Sequence, residues 1–128
     1  MSSKIKARFG IGPMSSETLE AVYRYSNFHR KQIMLIASKN QIDHSGGYVN
    51  GWNTREYSKA LSELNKKYIY SDVVNCRDHC GPGFNGDFNL DDTYKTIESD
   101  IENDFDLIHI DFCHYKGNNQ ERLLESKK

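Results

Sequence analysis

The sequence predicts an α/β fold in which parallel strands alternate with helices along one domain, residues 1–128. Three observations predict it. Short apolar runs alternate with amphipathic helical patterns along the whole chain. The runs come singly, each followed by one helix, which implies right-handed crossovers and a parallel sheet. The clearest run, Ile33-Met34-Leu35-Ile36-Ala37, is apolar at consecutive positions, as a strand covered on both faces should be. This rhythm suits either a doubly wound open sheet or half of a (β/α)₈ barrel.

The elements follow in order. A first strand is expected around Phe9 to Gly12. Ser15 or Ser16 can cap the next helix, with Glu17 in its first turn and Leu19, Val22 and Tyr23 on one face. After the second strand, Ile33 to Ala37, a polar, glycine-bearing loop runs from Ser38 to Trp52. Asn53 with Glu56 is a capping-box signature, and Tyr57, Ala60, Leu61 and Leu64 then share one helical face. The third strand lies within Tyr68 to Cys76, centred on Val73 and Val74, and Gly81-Pro82-Gly83 forces a loop after it. Asp91 or Asp92 can cap a helix whose Tyr94, Ile97, Ile101 and Phe105 share a face. The fourth strand is Leu107 to Phe112, and Asn118 with Glu121 opens a fourth helix.

At 128 residues and 37% hydrophobic, the chain suits one soluble domain with a core. A complete barrel takes roughly 250 residues, so a barrel reading is a reading of half a barrel. Seventeen Lys and Arg stand against eighteen Asp and Glu, a net charge of −1, which gives no general attraction to nucleic acid or to an anionic membrane. No apolar stretch has transmembrane length. Three cations in Met1 to Gly10 are not followed by an apolar segment, so no secretory signal is expected. Cys76, Cys80 and Cys113 then read as reduced thiols, and the cytoplasm is the expected compartment.

The polar residues collect at strand ends. Ser38, Lys39, Asn40 and Gln41 follow the second strand; Arg77, Asp78 and His79 follow the third; Asp111, Cys113 and His114 follow the fourth. Parallel α/β folds bring those ends to one face, where ligands bind. Adjacent residues can point apart there, so His79 can bind a metal while Asp78 faces substrate as a proton carrier. A rival reading makes Cys76, His79, Cys80, Cys113 and His114 a structural zinc site, but no second Cys-x₂-Cys supports it. His109, between Ile108 and Ile110, reads as a hydrogen-bonded core histidine, and His29 and His44 read as solvated. Gly46-Gly47-Tyr48 and Gly81-Pro82-Gly83 can present backbone N–H groups to a phosphate. Neither matches a P-loop or a dinucleotide fingerprint. Tyr48 and Trp52 can serve as a sugar platform or as a packing lid.

Three motifs together resemble one family. Asn40-Gln41-Ile42-Asp43 with Gly46-Gly47-Tyr48-Val49, Asp78-His79-Cys80-Gly81-Pro82, and Ile108-His109-Ile110-Asp111 are similar, in order and spacing, to motifs after or within strands two, three and four of the large, non-catalytic subunit of class II tagatose-1,6-bisphosphate aldolase. The resemblance covers roughly Gly12 to Gly117 and implies the first half of a (β/α)₈ barrel. It implies Asp78 as a proton-transferring carboxylate and His79 as a zinc ligand, with Ser38, Lys39, Asn40, Gln41, Gly46, Gly47 and Asp111 toward a sugar phosphate. Zinc binding would be weak, since the further ligands of the related catalytic enzymes come from later strands. Ile36 also stands where the family usually has a Glu. The expected role is therefore an accessory one without independent turnover, partnered by a catalytic class II aldolase subunit or by self-association. The alternatives are a metal-dependent aldolase half completed by a second half-barrel, and a small phosphometabolite-binding protein.

Overall fold

The computed structural model describes residues 5–128, so the stretch read for a secretory signal begins outside the described residues. The elements are β1 (Gly10–Ile11), α1 (Ser16–His29), β2 (Gln32–Ser38), α2 (Thr54–Lys67), β3 (Asp72–Cys80), α3 (Leu90–Glu102), β4 (Leu107–Ile110) and α4 (Asn119–Glu125). The four strands are all parallel and lie side by side in chain order. A doubly wound sheet reverses its strand order at a switch point; this sheet does not. Right-handed crossovers that always step the same way leave the helices on one face. That arrangement is consistent with successive units of a barrel wall. Among the described residues no helix is long and apolar enough to cross a membrane.

Local sequence explains where the helices start. The Ser15 hydroxyl accepts from the Thr18 amide at the head of α1. At α2, Asn53 accepts from the Glu56 amide and Glu56 accepts from the Asn53 amide, both at 2.9 Å. Asn118 and Glu121 repeat this reciprocal cap at α4. Asn53→Ala removes one half of the box and leaves orphan donors. It is expected to cost about 1 kcal/mol, read as a lower urea midpoint at unchanged slope.

Strand register sorts the sheet into two faces. Ile33, Leu35 and Ala37 of β2 lie beside Val73, Asn75 and Arg77 of β3, while Met34, Ile36 and Ser38 lie beside Val74, Cys76 and Asp78. The first set meets the helices: Leu19, Val22 and Tyr23 of α1 and Tyr57 and Leu61 of α2 close over Ile33, Leu35 and Ala37. The second set faces away from them. There Met34, Ile36, Cys76 and Leu107 line an open depression of about 310 Å³. The continuously apolar β2 is thus covered by helices on one face only, and Met34 and Ile36 stay partly exposed.

Three elements differ from expectation. β3 runs on to Cys80, so Asp78 and His79 belong to its last turns of pleat rather than to a loop, and β4 stops at Ile110. The cap of α3 is Asn89, whose side chain accepts from the Asp91 amide. Most notably, α3 buries Thr93, Thr96 and Asp100, whereas Ile101 is 65% exposed. The surface beneath α3 carries two buried cations, Lys39 and Arg77, and a helix must present hydrogen-bonding groups to them. That requirement outweighs the apolar stripe.

Candidate functional site

The ends of β3 and β4 build the candidate site. The pairing between them shifts register between Arg77 and Cys80, and within that irregularity His79 adopts φ 44°, a left-handed conformation costly for a non-glycine residue. The His79 Nδ1 lies 2.7 Å from Asp111 Oδ2. Asp111 is drawn close because its amide donates to the Cys80 carbonyl at 3.0 Å. Gly81 permits the approach, since a Cβ there would collide with the Asp111 carbonyl oxygen. Burial pushes the Asp111 carboxyl up, but hydrogen bonds from His79 and from the Cys113 amide outweigh it and hold it below its ordinary value. A carboxylate facing Nδ1 fixes the proton there and leaves the Nε2 lone pair free, the arrangement found behind metal-binding histidines.

That free nitrogen faces chemistry. His79 Nε2 is 3.6 Å from Asp78 Oδ1, and His109 Nδ1 is 3.7 Å from the same oxygen. One donor atom from each of Asp78, His79 and His109 falls within 4.8 Å of the others. Phe84 stacks on the His79 ring at 4.7 Å and also packs against His114, which limits how the imidazole can turn. Two imidazoles and one carboxylate suit a divalent cation of zinc's type. If Asp78 instead carries a proton, two protein ligands remain and binding is weak.

His109 corrects the sequence reading: its side chain is 55% exposed, not a core histidine. With helices on one face only, strand alternation turns it to the open face, two residues before Asp111. That i, i+2 spacing of His and Asp at a strand end was the available signal. His44, read as solvated, is only 22% exposed, and its Nε2 lies 2.7 Å from Asp92.

The residues expected at a sugar phosphate divide. Lys39, the expected phosphate anchor, is enclosed: its ammonium lies 3.1 Å from both Asp43 and Asp92 and donates to Thr96. Burial raises the Asp92 carboxyl, but His44, Lys39 and Asn85 together hold it below its ordinary value. The carboxylates of Asp43 and Asp92 with His44 have the spacing of a metal cluster, yet Lys39 already supplies their cation. The Gly46 and Gly47 amides donate inside their own loop, to the Asp43 and Trp52 carbonyls, and so do not cradle a phosphate as placed. Gln41 is nearly buried, accepting from the Ser38 amide and reaching Met14. Ser38 is partly buried and its hydroxyl accepts from the Gln41 amide. Asn40 is exposed, with its amide on the Phe84 carbonyl. Arg77 points away from the site into the helix layer.

The thiols are separated by burial, and no zinc set including Cys76, Cys80 and Cys113 is brought together among the described residues. Burial pushes the Cys76 thiol up to about 11 and the Cys80 thiol up to about 12. Cys113 is exposed. Ellman's reagent at pH 8 is expected to modify Cys113 promptly and the two buried thiols only after denaturation. Prompt modification of all three would show that β3 opens readily.

No family model and no curated protein matches the chain. Among solved structures, the chain is similar to the crystal structure of a probable tagatose 6 phosphate kinase from Sinorhizobium meliloti 1021, with a TM-score of 0.71 and 16% identity over 89% of this chain. The match takes in 31% of that protein, so this chain spans about a third of its length. At that identity the likeness shows the fold.

Proposed function

We propose that the chain acts in sugar-phosphate metabolism as a protein similar to the accessory subunit of class II tagatose-1,6-bisphosphate aldolase, with a weak divalent-metal site and no independent turnover. The observation that carries this reading is the His79 imidazole, fixed by Asp111 and aimed at Asp78 and His109 where parallel strands end. The likeness to a probable tagatose 6 phosphate kinase agrees with the sugar-phosphate part of this reading.

In this reading His79 would hold a metal through Nε2 and His109 would assist through Nδ1. Zinc, when bound, would supply a Lewis acid beside a ketose carbonyl. Asp78 holds or moves a proton at Oδ1, while Ser38 and Asn40 meet substrate hydroxyls from the end of β2. The open sheet face is where a catalytic aldolase subunit or a second copy would complete the site.

Zinc titration followed by calorimetry tests the proposal. Weak one-site binding is expected, lost in His79→Ala and unchanged in Cys76→Ala. Asp111→Asn, which removes the charge behind His79, is expected to weaken it by about 10–100-fold. Tight stoichiometric zinc that depends on Cys76, Cys80 and Cys113 would overturn the site.

A further inference from the structure

The opposite end of the sheet carries a second concave site. The segment before β1 folds back over the start of β2, where the amides of Lys6 and Ala7 donate to the Gln32 side chain. Between this segment and the C-terminus of α1 lies a cavity of about 590 Å³, lined by Lys6, Arg8, Arg30, Lys31 and the rings of Phe9 and Tyr25. Four cations therefore stand against one lining carboxylate, Asp72, in a chain whose net charge is −1. Asp72 offsets one of them at most, and both its oxygens accept from the Gln32 amide at 3.1 Å. Among the described residues none of the four cations forms an ion pair.

One of the four cations is also positioned. Arg30 closes α1 in a left-handed conformation, φ 54°, and its guanidinium lies over the Tyr70 ring at 3.5 Å. Stacking occupies the face of the guanidinium and leaves its N–H edge free to make paired hydrogen bonds to an oxyanion. The carbonyl end of α1 opposes an anion, but only with about half a unit of charge, against several cations. The volume is that of a small-metabolite site.

We infer that this cavity binds a multiply charged phosphate compound, at a site separate from the Asp78–His79 cluster. Its ligand is recognised through the phosphates, by Arg30, Lys31, Arg8 and Lys6, with Phe9 and Tyr25 available to an attached organic group. A single phosphate leaves most of the cations unanswered, so a polyphosphate chain is preferred.

Calorimetry at low ionic strength with tripolyphosphate, ATP and inorganic phosphate tests this. Tripolyphosphate is expected to bind saturably at one site, more tightly than inorganic phosphate, and more weakly as salt rises. Arg30→Glu is expected to weaken it about tenfold or more, a loss of one charge-assisted contact. Arg8→Glu, outside every helix, gives a second reading should Arg30→Glu perturb the end of α1. ATP binding more tightly than tripolyphosphate would add a contact to the rings; equal affinity would leave the phosphates as the determinant, and both support the site. His79→Ala should leave binding unchanged. Absence of saturable binding at millimolar tripolyphosphate, undiminished affinity in both charge reversals, or loss in His79→Ala would overturn it.

Discussion

Asp100→Ala is expected to destabilise the chain by about 3–5 kcal/mol, enough to unfold much of it if its stability is ordinary for a small domain. Arg77 and Asp100 are both fully enclosed between β3 and α3. The guanidinium meets the carboxylate with two bonds of 2.7 Å, from Nε to one oxygen and from Nη2 to the other. Its remaining nitrogen donates to the carbonyls of Ala37, Ser38 and Ile42, which ties the end of β2 and its loop to β3. Removing Asp100 strands a desolvated cation that no solvent can reach. Arg77→Met on its own strands the carboxylate and also frees those carbonyls, so it should be no milder. The double variant Arg77→Met/Asp100→Leu should recover part of the loss and not all of it, because the carbonyls stay unpaired. Urea unfolding of the four proteins gives the cycle. A cost below about 1 kcal/mol for Asp100→Ala would mean that α3 is not held as described.

The same ion pair shows which parts of the molecule were legible in advance. Asn53 and Glu56 are adjacent on one helical turn, so their reciprocal cap is a local property, and α2 begins at the position they predict. The βα alternation is local too, and the parallel sheet follows from chain handedness. The face of α3 is a different matter. Tyr94, Ile97 and Ile101 form a convincing apolar stripe, but Asp100 and Thr96 are turned inward by Arg77 and Lys39, which lie far away in sequence. Periodicity has no access to a partner on another element. Lys39 illustrates the converse: a lysine after a strand reads as a free ammonium until Asp43 and Asp92 are seen to enclose it. His109 failed for a topological reason, since alternation within a strand reveals two faces without telling which one the helices cover.

The candidate site itself was readable as a position, the ends of strands three and four, and as the pair Asp78 and His79. Its supporting parts were not. The left-handed turn at His79, the close approach at Gly81 and the ring of Phe84 depend on how two strands meet. These are the features that hold the imidazole in place. Gly81→Ala should therefore disturb zinc binding while leaving the helix layer folded, because the new methyl group would push the Asp111 backbone away from His79.

The isolated chain is expected to show no measurable aldolase turnover with tagatose or fructose 1,6-bisphosphate, with or without zinc. Cleavage of a ketose bisphosphate needs a carbonyl-polarising metal, a proton carrier and anchors for two phosphates, held to about half an ångström in a site that excludes water. In the proposed reading Asp78 would carry the proton, and His79 with His109 would hold a metal loosely. Among the described residues the expected anchors are taken: Lys39 is committed to two carboxylates, and the Gly46 and Gly47 amides are committed to carbonyls of their own loop. The cations of the 590 Å³ cavity lie at the other ends of the strands and cannot serve the same substrate. The open face over Met34, Ile36 and Leu107 also leaves the Asp78 carboxylate, 40% exposed, in contact with solvent, where a developing negative charge is stabilised by water rather than by fixed groups. Co-expression with a class II aldolase should raise that partner's stability in a thermal melt without adding a second active site. Turnover by the purified chain alone, abolished by Asp78→Ala, would refute the accessory reading and make the β3 end a complete active site.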